Sequence, residues 1–157
     1  MTSPTLFGPT IDSFQGEYRF LSNFWLCTIV YNGGYIYGST EAAYQAAKSL
    51  NPADHVRFTR MSPGVSKREG KRLIIRDDWD IVKTRIMVEL VRQKFTSHND
   101  LKMLLLNTGD ALLVEGNTWG DTFWGVCNGK GENKLGKILM MVRQEIYEEK
   151  YLPSLII

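Results

Sequence analysis

The stretch Gly116–Ile146, GNTWGDTFWGVCNGKGENKLGKILMMVRQEI, joins two unlike halves. In the second half Leu135, Ile138, Leu139, Val142 and Ile146 recur at spacings of three and four, which predicts an amphipathic helix against a core. The first half is glycine-rich yet carries Trp119, Phe123 and Trp124 around Asp121. Large aromatics in a loop either plug the edge of a core or wall a pocket. An aspartate among them is costly to bury without a partner or a task. Aromatic walls with one carboxylate suit a nucleoside-type ligand, through stacking and an acceptor fitted for acid–base work. The glycines running into a helix start suit a phosphate, or serve only as turns.

Working outward, the fold class read from the chain is α+β, a single compact, mostly helical domain with a small β-sheet. WLCTIVYNGGYIYGST predicts a hairpin turning at Asn32-Gly33-Gly34. Ser39 or Thr40 then caps an Ala-rich helix, TEAAYQAAKSL, which Asn51-Pro52 should end. A long helix is expected from about Asp80 to Phe95, with Ile81, Ile86, Val88, Leu90 and Val91 as its apolar face. Another helix, capped by Asn99 or Asp100, is expected to give way, past Gly109, to a strand over Ala111–Glu115. Residues 1–13 read as a flexible segment, 14–150 as the domain and 151–157 as a tail.

Bulk properties narrow the function. The chain has 157 residues, 43% apolar and 23% charged, as one soluble domain would. Nineteen basic against 17 acidic residues leave a net charge of +2, which argues against a protein whose main task is to coat nucleic acid or an anionic membrane. No apolar run approaches a membrane span, and the N-terminus lacks the pattern of a secretory signal. Cys27 and Cys127 form no disulfide framework, so a reducing, cytoplasmic setting is expected. The two histidines, His55 and His98, offer no spaced metal pair, and neither a metal nor a cofactor is expected. GENKLGK (Gly131–Lys137) resembles a phosphate loop, but Ile138 stands where a hydroxyl should hold Mg²⁺.

On the Ala-rich helix Glu41, Gln45 and Lys48 fall at i, i+4 and i+7, so one face carries a carboxylate, an amide and an amine. That pattern is equally a solvated, helix-stabilising face. The middle stretch carries Arg57, Arg60, Lys67, Arg68, Lys71, Arg72 and Arg76, a set able to meet phosphates or simply to face water.

In order along the chain, YRFLSNF, YGSTEAAYQAAKS, the RDDWDIVKTRIM block and WGDTFWGVCNGKGENKLG resemble the NADAR, or YbiA-like, family over about Phe14–Ile146. The resemblance implies an enzyme acting on N-glycosidic bonds of ribose-phosphate compounds. It either removes ADP-ribose from modified guanine in nucleic acid or hydrolyses phosphoribosylamino-pyrimidine intermediates of riboflavin synthesis. The family's glutamate, tryptophan, loop aspartate and helix lysine fall on Glu41, Trp79, Asp121 and Lys48, and all four are present. Some relatives carry histidine where this chain has Ala42, a difference that bears on substrate choice. On this resemblance Glu41, Asp121 and Lys48 are the expected catalytic residues. Ser22, Asn23, Phe24, Gln45, Trp79, Trp119, Phe123, Trp124, Gly125, Gly129, Gly131 and Asn133 are expected to bind substrate. Stabilising an oxocarbenium-like ribose and protonating the leaving nitrogen fall to Glu41 and Asp121 in either order. Lys48 either traps a ring-opened ribose as a Schiff base or pairs with a charge. The expected partner is an ADP-ribose-containing or ribose-phosphate substrate, with ADP-ribosylated DNA as one form. The alternative is a module that binds ADP-ribose without turning it over.

Overall fold

A computed structural model describes residues 2–5 and 8–152 of the chain. The protein is α+β and mostly helical, with three small sheets among the described residues. It divides into one unit formed by 1–22 with 95–157 and a second formed by 23–94. Among the described residues no helix is long and apolar enough to cross a membrane.

Strands β1 (Thr2–Thr5) and β2 (Gly8–Ile11), in the first unit, are antiparallel, and β2 continues in parallel to β5 (Leu112–Leu113) through Thr10–Leu112 and Ile11–Leu113. Strands were not expected over 1–13. Nothing local specifies them: β2 is fixed by pairing with a segment a hundred residues away and by Ile11, which is fully buried. β5 is shorter than the expected Ala111–Glu115. A short 3₁₀ turn, Gly16–Leu21, buries Phe20 and Leu21.

In the second unit β3 (Leu26–Tyr31) and β4 (Tyr35–Ser39) form the expected hairpin, with Asn32, Gly33 and Gly34 all at positive φ in its turn. Ser39 leads into α1 (Thr40–Ala46), its buried Oγ accepting from Ala42 N at 3.1 Å. The helix is shorter than predicted. Past Ala46 the backbone closes with three-residue bonds, Lys48 N to Gln45 O and Ser49 N to Ala46 O, so Lys48 rides on a tightened last turn. Pro52 does not merely stop a helix; it opens the next one. Asn51 caps α2 (Pro52–Phe58) and Ser62 caps α3 (Pro63–Gly70), each with proline in the first turn.

The long helix α4 runs from Trp79 to Ser97. Of the predicted apolar face Ile86, Leu90 and Val91 are buried, joined by Val82, Met87, Lys94 and Phe95. Ile81 is 85% exposed, and Val88 is only half-buried. Val82 and Met87 take the places expected for Ile81 and Val88, and at Lys94 the stripe includes a charged residue that a hydrophobicity pattern skips. The first unit closes with α5 (Asn99–Leu106), β6 (Gly116–Asn117) parallel to β7 (Val126–Cys127), and α6 (Lys134–Tyr151). The N-cap of α5 is His98, not the expected Asn99 or Asp100, which lie inside its first turn. All five predicted stripe residues of α6 are buried. The expected tail reaches past the described residues from 153 onward.

Candidate functional site

The candidate residues fall into two groups, one in each unit. In the second unit α1 carries the chemistry. Glu41 lies in its first turn, where the helix dipole favours a carboxylate, and is only 9% exposed. Its backbone N–H donates to Asn23 O at 3.0 Å, which fixes the residue before the hairpin against the helix start. Gln45 Nε2 donates to Glu41 Oε2 at 2.7 Å, so the i, i+4 pair predicted from sequence is formed and buried. Gln45 is itself held by α3. A Cβ on Gly70 would stand 2.0 Å from Gln45 Oε1, so only glycine lets the amide lie flat there.

Lys48 continues the same face. Burial pushes its ammonium below the usual lysine range; the Glu41 carboxylate opposes this, and the Lys83 and Lys71 cations add to the lowering. Its Nζ stands 5.7 Å from the Tyr44 ring centroid and 6.0 Å from that of Trp79, and those two rings lie 5.1 Å apart. Trp79 N donates to Arg76 O, and Arg76 N donates to Lys48 O at 2.8 Å, which returns the chain to the end of α1. A carboxylate, an amide, a desolvated amine and two aromatic rings therefore share one patch. Asn23 also donates from Nδ2 to Met87 Sδ at 3.6 Å, and the Phe24 ring lies 5.9 Å from Lys67 Nζ.

In the first unit the loop from Glu115 to Asn133 is organised by side chains. Asp121 Oδ1 accepts from Phe123 N at 3.1 Å and from Trp124 N at 2.9 Å. Asn117 holds the other side of Asp121, its Oδ1 accepting from Asp121 N and its Nδ2 donating to Asp121 O. Asn133, at φ +51°, bridges Glu115 N and Leu113 O with its amide. Phe123 and Trp124 meet edge to face at 4.8 Å, and Trp119 is 55% exposed. Ser22 ends the 3₁₀ turn with its N–H on Arg19 O.

The glycines of this loop have a packing reason. A Cβ on Gly125 would meet Glu115 Oε2 at 1.8 Å, and one on Gly131 would meet Gly125 O at 2.2 Å. The amides that the sequence offered to a phosphate at the start of α6 are donated to the loop itself. Asn133 N, Lys134 N and Leu135 N go to the carbonyls of Gly125, Phe123 and Trp124, and Gly129 stands in the Cys127–Lys130 turn. These bonds tie the loop's backbone to itself on both sides of Phe123 and Trp124.

The NADAR domain model matches residues 12–147. The chain belongs to the NADAR family. An N-glycosidase of Nostoc punctiforme is 42% identical over 117 residues, covering 70% of this chain and 74% of that protein. N-glycosidase YbiA of Shigella flexneri is 37% identical over 142 residues and 88% of each chain. The NMR structure of the E. coli protein YbiA superposes with a TM-score of 0.79 at 35% identity, over 91% of this chain and 88% of that one.

Three structural contributors escaped the sequence reading of this NADAR chain. Tyr44 lies at i+3 from Glu41 and was legible in principle from helical spacing. Gly70 and Asn117 act through contacts that no local pattern announces.

Proposed function

We propose that this chain is an N-glycosidase that hydrolyses the bond between ribose C1 and a nucleobase-type nitrogen, and that ADP-ribose on guanine in nucleic acid is its preferred substrate. The observation that carries this reading is the buried Glu41 carboxylate, held by Gln45 on the face that also presents Lys48 beside Tyr44 and Trp79. Relatives named N-glycosidases over most of the chain support the reaction class.

Breaking the C1–N bond sends its electron pair to nitrogen and leaves positive charge on C1 and the ring oxygen. A fixed carboxylate in surroundings poor in water stabilises that charge without reorganising, and this role goes to Glu41. The departing nitrogen takes up a proton, and water adds to C1. Lys48 stands with a weakened hold on its proton, suited to giving it up or to acting as an amine. If the ribose opens, neutral Lys48 Nζ adds to the C1 aldehyde, and loss of water leaves a Schiff base that a second water hydrolyses. Asp121 is assigned the acid–base partner's role, with its Oδ1 setting the loop. Trp79, Trp119 and Trp124 are assigned to stacking.

The test is turnover by wild type and Glu41→Gln, each offered ADP-ribosylated guanine DNA and a phosphoribosylamino-pyrimidine. Release of ADP-ribose by wild type alone is expected. Cleavage of the small pyrimidine only would move the enzyme to metabolite clearance. Tight ADP-ribose binding with no turnover of either would make it a binding module.

A further inference from the structure

Two nucleophilic groups in the second unit have no part in the glycosidase reading, and the fold sets them against each other. The first is Cys27, on β3. Exposure alternates along that strand, so Cys27, Ile29 and Tyr31 turn to its covered side while Leu26, Thr28 and Val30 face water. What lies over the strand is α4. Tyr31 Oη donates to Glu89, and Gln93 closes on the strand's edge, its Oε1 accepting from Val30 N at 2.7 Å and its Nε2 donating to Val30 O at 2.8 Å. These contacts fix the direction: β3 followed back from Tyr31 towards Leu26 runs beside α4 followed forward from Glu89. Past Gln93 the next buried position on the helix is Lys94, 1% exposed, and past Ile29 the next covered position on the strand is Cys27. Burial holds the Lys94 ammonium down to about 7, and the influence opposing this comes from Cys27, so the two groups lie within electrostatic reach. A lysine that gives up its proton near neutrality is both a base and a nucleophile. The thiol is half-buried and stands between the exposed Leu26 and Thr28, where a small oxidant reaches it.

We propose that Cys27 is an oxidation site whose sulfenic acid Lys94 captures, joining β3 to α4 through a sulfur–nitrogen bond. The oxidant is a hydroperoxide. The Lys94 amine takes the thiol proton, the Cys27 sulfur attacks the peroxide, and the O–O bond breaks. The leaving oxygen takes that proton from Lys94 and departs as water or an alcohol. Sulfur has then lost two electrons and carries a hydroxyl. The neutral amine next attacks sulfur: the S–N bond forms, the S–O bond breaks, and the hydroxyl leaves as water with a proton from the amine. The product is a sulfenamide, two hydrogens lighter than the two side chains together, and a thiol reductant reopens it. An amine fixed beside the sulfur outcompetes a second peroxide or a free thiol, which must arrive from solution.

The test treats the folded full chain with a small excess of hydrogen peroxide, in a Cys127→Ser background so that no disulfide between the two cysteines can imitate the mass loss. Intact mass and peptide mapping are expected to show the loss of two hydrogens and a Cys27–Lys94 cross-linked peptide, both reversed by dithiothreitol. The cross-link closes a long loop and restrains the unfolded chain, so the oxidised protein should melt several degrees above the reduced one. Lys94→Met and Lys94→Gln should form no cross-link and should accumulate the sulfenic acid, trapped as its dimedone adduct. The same treatment in urea should abolish the cross-link, because only the fold brings the pair together. Gain of oxygen at Cys27 or a disulfide-linked dimer, with Lys94 recovered unmodified from the folded chain, would overturn the proposal. A mass loss that survives in either Lys94 variant would overturn it too, since the new bond would then lie on a backbone nitrogen. The peptide map of the Lys94-containing chain decides the matter even where a Lys94 variant folds poorly. None of these readouts depends on glycosidase turnover.

Discussion

Glu41 and Gln45 form a buried charge-assisted hydrogen bond, and a single substitution at either end separates charge from shape. Glu41→Gln keeps the size of the side chain but removes the charge that the oxocarbenium needs. The turnover number should fall by about a hundredfold to a thousandfold while ADP-ribose affinity is retained, as measured by single turnover and calorimetry. For Lys48 the desolvated amine predicts a chemical signature. Borohydride added during turnover should leave a ribose adduct on wild type, seen by mass spectrometry, and none on Lys48→Met. An unmodified wild type would restrict Lys48 to charge pairing or proton transfer. Asp121 has a visible structural duty as well as its assigned chemical one. Asparagine can still accept from Phe123 N and Trp124 N, so Asp121→Asn should lose activity with its melting temperature intact. Asp121→Ala should lose both.

At the scale of elements, α1 is short, and its position depends on its ends. Ser39→Ala removes the Oγ that accepts from Ala42 N at a fully buried cap. The cost should be about 1 kcal/mol, read as a fall of about 2–4 °C in melting temperature. Gly70 offers a different test. A Cβ there displaces the far end of a flexible side chain rather than backbone, so Gly70→Ala should fold. The displaced Gln45 amide can no longer hold Glu41, and turnover should drop well below that of the wild type. Wild-type activity in a folded Gly70→Ala protein would remove Gln45 from the mechanism.

On the scale of the whole molecule, Lys94 is the chemical oddity. It is 1% exposed on α4, and burial lowers its pKa to about 7, opposed only in part by Cys27. Between about pH 7 and the ordinary lysine value the unfolded chain holds a proton that the native state has released. Stability should therefore rise with pH across that window, and be flat with respect to this group below it, where both states are protonated. Urea midpoints from pH 7 to 10 should climb for wild type, and Lys94→Met should flatten the climb. A Lys94→Met curve parallel to wild type would show that another group carries the pH dependence.

Much of this was legible along the chain, wherever the governing physics is local. The α6 stripe follows from helical spacing, the β3–β4 turn from the positive φ that asparagine and glycine tolerate, and the α1 cap from a serine hydroxyl beside free amides. The Glu41–Gln45–Lys48 face was visible for the same reason, because four residues make one helical turn. The ordered family blocks identified the NADAR family, since motif order is itself a property of sequence. Tertiary structure decided the rest. β2 exists because it pairs with β5, a hundred residues on, and Lys94 is inside because its neighbours on α4 are. Whether a polar face is solvated or buried depends on what packs over it, and for Gln45 that is Gly70. The loop glycines looked like a phosphate cradle; their missing side chains, and the amides of Asn133, Lys134 and Leu135 at the helix start, serve the loop's own backbone. Local propensity reads elements and caps, whereas burial and partners are set by contacts distant in sequence, and those only the folded chain supplies.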